Sequence, residues 1–191
     1  MNAALTVGVL AVQGAFAEHC EALLRAGANA REIRRPRELD GIDALILPGG
    51  ESTAQGRLMR ELGLFEPMAS MIRDGLPVFG TCAGIILLAK NIENDARRHF
   101  AAMDITVRRN GYGRQLASFV TRGRFARHDD VEMVFIRAPY ITAAGPNVEI
   151  LAEIDGRAAA ASEGRMLAAA FHPEMTRDLR VLEYFLSMAR D

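Results

Sequence analysis

The sequence predicts an α/β protein, a three-layer sandwich whose central, mostly parallel sheet is covered by helices on both faces. Three observations carry this reading. Apolar, β-rich runs alternate with stretches of helical spacing from Leu5 to Lys90, short alternating segments take over from about Asp104, and an amphipathic helix closes the chain.

Each element follows from its own pattern. "LTVGVLAVQG" is a continuous apolar run ending in glycine, and "AFAEHCEALLRAGA" after it spaces its apolar residues as a helix does, with Gly27 as the stop signal. "DALILPGG" reads as a buried strand, "STAQGRLMRELGLFEPMASMIRDG" as helix broken near Gly63, "LPVFGT" as a strand and "AGIILLAK" as a helix. Past Asp104, "DITVRR", "SFVTRGRF", "VEMVFIRAP", "VEILAEIDGRAAAASEG" and "RMLAAAFHPE" alternate as antiparallel strands do, with "DGR" and "EGR" as hairpin turns. In "LRVLEYFLSMAR", Leu179, Leu182, Phe185 and Leu186 are expected to face the sheet. No repeat, low-complexity tract or linker interrupts the pattern, so residues 1–191 read as one domain.

Composition excludes several function classes. The 191 residues carry 23 basic and 24 acidic side chains, and the resulting net charge of −1 supplies no field to recruit nucleic acid or an anionic membrane. A run of about 18 apolar residues that could span a bilayer is missing, and Met1 to Leu10 lacks the features of a secretory signal. A cytoplasmic protein is expected, and in a reducing compartment Cys20 and Cys82 need not pair. Cys20, mid-helix in "EHCEALL", reads as structural.

Cys82 stands elsewhere. Gly80-Thr81-Cys82-Ala83-Gly84 is the cysteine form of the G-x-S-x-G elbow, in which a strand turns sharply into a helix and the nucleophile sits on the strained corner. Flanking glycines let neighbouring backbone pass without a Cβ clash, and a helix N-terminus favours a thiolate. The same residue type also suits a small buried hydrophobe, so the elbow needs a base to become a site. His19, His99 and His128 lie in polar surroundings and read as solvated. His172 follows an apolar strand in "AAAFHPE", where Pro173 blocks a helix, and Glu174 shares its side of an extended chain but reaches it only if the backbone bends. A His-Pro turn at a strand end is the alternative. "LPGGES" ends another strand, with Ser52 and Gln55 at capping-box spacing and with glycines able to present N–H groups to an oxyanion, although a plain turn has the same composition.

"VGVLAVQGAFAEH", "LILPGGEST", "VFGTCAGIILLAK", "RRNGYGRQ", "VFIRAP" and "AAAFHPE" occur in the order that resembles the class I, triad-type glutamine amidotransferases, over essentially the whole chain. "LAVQGAF-EH", "RNGYGRQ" and "FIRAP" are similar to the narrower group of glutaminase subunits of pyridoxal 5′-phosphate synthase. The resemblance implies a flavodoxin-like sandwich that hydrolyses L-glutamine to glutamate and ammonia, with the ammonia passed through a tunnel to a separate barrel-shaped synthase subunit for vitamin B6 synthesis. It puts the nucleophile on Cys82 and the rest of the triad on His172 and Glu174. Glutamine-binding positions fall on Gly49, Gly50, Glu51, Arg109, Ile136 and Arg137. The expected oxyanion donors are the N–H groups of Gly50 and Ala83, and the chemistry requires neither metal nor organic cofactor. Departures from the family pattern occur in "NDARRHFAAMDI" and at Tyr140.

Overall fold

A computed structural model describes residues 4–111 and 118–190. Strands β1 (Thr6–Leu10), β3 (Ala44–Leu47) and β4 (Val78–Thr81) form where the sequence is apolar without alternation, because both of their faces are covered. Successive side chains point to opposite faces. Val7, Val9, Ala44, Ile46 and Phe79 pack toward α1 (Phe16–Arg25) and α5 (Arg180–Met188), where they meet Leu23, Leu182 and Phe185. Leu45, Leu47 and Val78 pack toward α2 (Ser52–Glu61), α3 (Phe65–Arg73) and α4 (Ala83–Leu88), where they meet Met59, Met68 and Ile85. Gly27 and Gly63, at φ of 76° and 70°, end α1 and separate α2 from α3.

The remaining strands are β2 (Asn29–Ile33), β5 (Ala89–Ile92), β6 (Met103–Arg108), β7 (Ser118–Phe125), β8 (His128–Ile136), β9 (Tyr140–Ala144), β10 (Glu149–Ile154), β11 (Arg157–Glu163) and β12 (Met166–Ala169). The main sheet has the order β2-β1-β3-β4-β12-β11-β9-β6-β5, with β10 paired to β11. From β2 to β12 every neighbour is parallel, and β4 and β12 are in register from Val78↔Met166 to Thr81↔Ala169. Beyond β12 the pairing turns antiparallel, through the expected β11–β12 and β10–β11 hairpins and then through β9 to β6, with Asp155 and Gly156 at φ of 52° and 70° in the β10–β11 turn. The hairpin of β7 and β8 forms a second sheet, and its Phe125, Val131, Met133 and Phe135 close one core.

Two sequence expectations change, and one strand was not foreseen. The "AGIILLAK" helix ends at Leu88, because Ala89 turns extended and begins β5, which pairs in parallel with β6. β12 is antiparallel only to β11, since its other edge joins the parallel strands. β2 carries no clear strand pattern because it is an edge strand that buries only Ile33. Tyr112 to Gln115 of "RRNGYGRQ" lie outside the described residues.

Gly84 shows how closely α4 lies on the sheet. A Cβ there would sit 2.1 Å from the Leu47 carbonyl oxygen, and one at Gly80 would sit 2.6 Å from the Gly84 carbonyl group. Gly84→Ala is therefore expected to lower the unfolding free energy by about 1–3 kcal/mol, because backbone must move to admit the methyl group. Urea denaturation measures it, and an unchanged midpoint would refute the close approach.

Candidate active site

Four adjacent parallel strands end on one side of the sheet, and each delivers one part of a cleft of about 490 Å³. Gln13 and Gly14 follow β1, Gly49 and Gly50 follow β3, Cys82 follows β4, and His172 follows β12. The crevice beyond the carboxyl ends of parallel strands is the usual ligand position in such sheets. Ala83, Glu51, Arg109, Ile136 and Arg137 also line the cleft. Every site residue expected from the sequence therefore reaches it except Glu174, which is buried behind His172.

Cys82 occupies the corner. Its backbone has φ 48° and ψ −101°, a region a residue with a Cβ enters only under strain, and its N–H donates to Ala169 O at 2.8 Å. The sulfur lies 3.8 Å from Ile136 O at the end of β8. Gly49 is the residue that lets sulfur and imidazole share this space. A Cβ on it would meet His172 Cε1 at 2.3 Å and Cys82 Cβ at 3.4 Å.

The backbone bend that the His-x-Glu spacing requires is present. Residues Pro173–Met175 form a 3₁₀ turn, and Glu174 Oε1 comes within 2.7 Å of His172 Nδ1. Both side chains are buried, at 6% and 5% exposure. His172 N–H donates to Val134 O at 2.8 Å, fixing the segment against β8. Burial by itself disfavours an imidazolium, but the Cys82 and Glu174 side chains outweigh it and raise the His172 pKa to about 10. Nε2 has no hydrogen-bond partner among the described residues. Glu174 moves the opposite way: burial pushes its pKa up, while His19 and His172 together bring it below the ordinary value.

Glu51, and not Ser52, caps α2. Its carboxylate accepts the N–H groups of Thr53 at 3.0 Å and Ala54 at 2.6 Å, so the expected Ser52–Gln55 capping box does not form. Gln55 instead donates to the carbonyls of Gln13 and Pro48, both at 3.1 Å, tying the β1 and β3 loops together. The Gly49 backbone is engaged on both sides, with its N–H on Thr81 Oγ1 at 3.1 Å and its carbonyl on Ala15 N–H at 3.0 Å.

Arg109 Nη2 donates to Glu51 Oε1 at 2.9 Å, and its Nη1 lies 3.7 Å from Asp95. Asp95 in turn pairs with Arg97 at 2.7 Å, and Arg97 donates to Thr53 Oγ1 at 2.9 Å. The segment that departs from the family pattern thus braces a cleft arginine, which its polar composition did not reveal. Arg137, at φ 45°, projects to the cleft with no acidic partner among the described residues. Tyr140, the other departure, is flanked by the guanidiniums of Arg108 and Arg157, 5.6 and 5.1 Å from its ring centroid.

His99, expected to be solvated, has both ring nitrogens buried against Gly56 of α2, and two further side chains escaped the sequence reading. His19 is buried, not solvated, with its Nε2 facing Glu174 and Thr81. Gln13 accepts the Glu51 N–H at 2.9 Å and lines the cleft. The "AVQGAFAEH" run contains both, but only the contact between α1 and the His172 turn buries His19 beside Glu174.

The SNO glutamine amidotransferase family model matches residues 9–191. The "Pyridoxal 5'-phosphate synthase subunit PdxT" of Bifidobacterium longum is 50% identical, the match covering 95% of this chain and 99% of the relative. The protein of the same name from Methanocorpusculum labreanum is 52% identical, over 96% and 97% of the two chains. Among solved structures, a glutamine amidotransferase superposes with a TM-score of 0.92 at 42% identity, covering 97% of this chain and 99% of that one.

The His172 ring is expected to stay protonated through neutral pH and to release its proton near pH 10, well above the 6.5 of a free imidazole. Imidazole NMR reads this titration. Cys82→Ala removes one of the two partners that raise the value, so its midpoint should fall, whereas an unmoved midpoint would show that the sulfur does not act on the ring.

Proposed function

The chain belongs to the SNO glutamine amidotransferase family, and on that premise we propose that its cleft hydrolyses L-glutamine with a Cys82-His172-Glu174 triad. The observation that carries this reading is the strained Cys82 corner facing, across Gly49, an imidazole held by Glu174 at 2.7 Å. The Cys82 thiolate attacks the side-chain carboxamide carbon, and the N–H groups of Gly50 and Ala83 hold the oxyanion. His172, already charged, gives its Nε2 proton to the departing nitrogen, and ammonia leaves a glutamyl thioester. His172 then takes a proton from water, whose oxygen attacks the thioester carbon; glutamate is released and the sulfur restored. Glu174 keeps the ring oriented through both steps.

Glutamine also carries an ammonium and a carboxylate, and the cleft offers both complements in Glu51 and the Arg109–Arg137 pair. Ile136 lines the cleft and brings its carbonyl oxygen to 3.8 Å from the sulfur. As with the relatives named as synthase subunits, we assign the ammonia to a pyridoxal 5′-phosphate synthase barrel subunit, in a large hetero-oligomer of which the whole chain is the glutaminase domain.

Purified protein mixed with that synthase subunit is expected to release glutamate from glutamine, and Cys82→Ala to reduce the rate by about 10³-fold or more while still binding the partner. Undiminished turnover in Cys82→Ala would sink the nucleophile. Turnover of peptides without turnover of glutamine would point instead to a cysteine peptidase. Arg109→Leu is expected to raise KM for glutamine by about tenfold with little change in kcat, since it removes a charged contact present in both bound states.

A further inference from the structure

The imidazole of His19 lies behind Glu174 at 1% exposure, and the steps above do not use it. Its Nε2 stands 3.4 Å from Glu174 Oε2 and 3.0 Å from Thr81 Oγ1. Thr81 Oγ1 accepts the Gly49 N–H at 3.1 Å, and Gly49 is the residue flanked by His172 and Cys82. One ring thus touches the carboxylate that orients the base and the hydroxyl that holds the loop beside the nucleophile. Its own placement is firm. Phe79 meets it edge-on at a centroid distance of 6.4 Å, and Arg25 of the same helix donates to Thr176 O at 3.0 Å, tying α1 to the turn that carries Glu174.

We propose that His19 is a positioning residue for glutamine hydrolysis, joining the Glu174 carboxylate to the Thr81–Gly49 contact so that the imidazole and the loop beside Cys82 keep one mutual geometry. The proposal rests on the triad reading above.

The needs of buried polar atoms decide which ring nitrogen carries the proton. Glu174 Oε1 is committed to His172, while Oε2 is buried with no hydrogen bond of normal geometry among the described residues. An Nε2 lone pair facing that oxygen would set two buried acceptors against each other. An Nε2–H shared between Oε2 and Thr81 Oγ1 gives the oxygen a donor, and the two lone pairs of Thr81 receive Gly49 N–H and the imidazole together. Burial keeps the His19 ring neutral, against the pull of Glu174 and with the help of the neighbouring His172 charge. A neutral donor steadies the carboxylate without competing with the His172 imidazolium for it. Neither His19 nor Thr81 lines the cleft, so losing this link changes the alignment of reacting groups and leaves substrate contacts in place.

Steady-state glutamate release, with the synthase subunit present, tests this. His19→Ala is expected to lower kcat by about 10- to 100-fold and to leave KM for glutamine within about twofold. His19→Gln, whose amide N–H takes the place of Nε2–H, should recover most of kcat. Thr81→Val should lower kcat similarly, and combining it with His19→Ala should add little, because both cut one link. With the fold intact by circular dichroism, equal losses in His19→Ala and His19→Gln, additive losses in the double variant, or a rise in KM in place of a fall in kcat would overturn the proposal. If His19→Ala does not fold, near-native kcat in His19→Gln beside a loss in Thr81→Val supports it, and equal losses in those two overturn it. Cys82→Ala in the same assay separates the two readings. Activity surviving in Cys82→Ala overturns the triad itself, whereas an inactive Cys82→Ala beside a fully active His19→Ala overturns only the role of His19.

Discussion

At Cys82 the backbone leaves β4 and enters α4 at a φ of 48°, a conformation that costs a residue with a Cβ roughly 1–3 kcal/mol. The surroundings over-determine it. Cys82 N–H is held by Ala169 O, α4 lies against Leu47 O through Gly84, and Gly80 gives the helix room to descend. Both glycines of the elbow are therefore packing requirements for bringing a helix down onto a strand end. The strain, in turn, aims the sulfur out of the sheet and into the cleft.

Parallel pairing from β2 to β12 brings the other cleft residues to that corner. Because β12 joins the parallel set beside β4, a histidine about ninety positions downstream ends next to the cysteine. The turn at Pro173–Met175 then folds Glu174 back onto the ring. Buried charge is distributed so that each group is answered by another: the carboxylate is held by one charged and one neutral imidazole, and the charged imidazole lies between carboxylate and sulfur. Removing any one of them would leave a buried neighbour without its complement.

The rim of the cleft is built differently, from half-buried and exposed groups whose order comes from a network. Glu51 caps α2 and holds Arg109, while Asp95 connects Arg109 to Arg97 and through it to Thr53. A surface ion pair in isolation adds little, but here four side chains constrain one guanidinium that faces the substrate space. That gives the segment "NDARRHF" a local purpose despite its departure from the family pattern.

Local signals were legible where one residue type has few physical uses. Apolar runs revealed β1, β3 and β4, Gly27 and Gly63 the helix breaks, G-x-C-x-G the elbow, and His-Pro-Glu the histidine that lines the cleft. The failures share a cause. The identity of the α2 cap, the start of β5, the edge strand β2 and the burial of His19 depend on partners distant in the chain, and no spacing records them. The sequence by itself determined which residue types could carry chemistry and which backbone turns would present them, because propensity and steric limits act over a few positions. Only the tertiary structure decided that β12 lies beside β4, that Glu174 bends back to 2.7 Å from His172, and that His19 stands between Glu174 and Thr81, because strand order and burial arise from packing the whole chain at once.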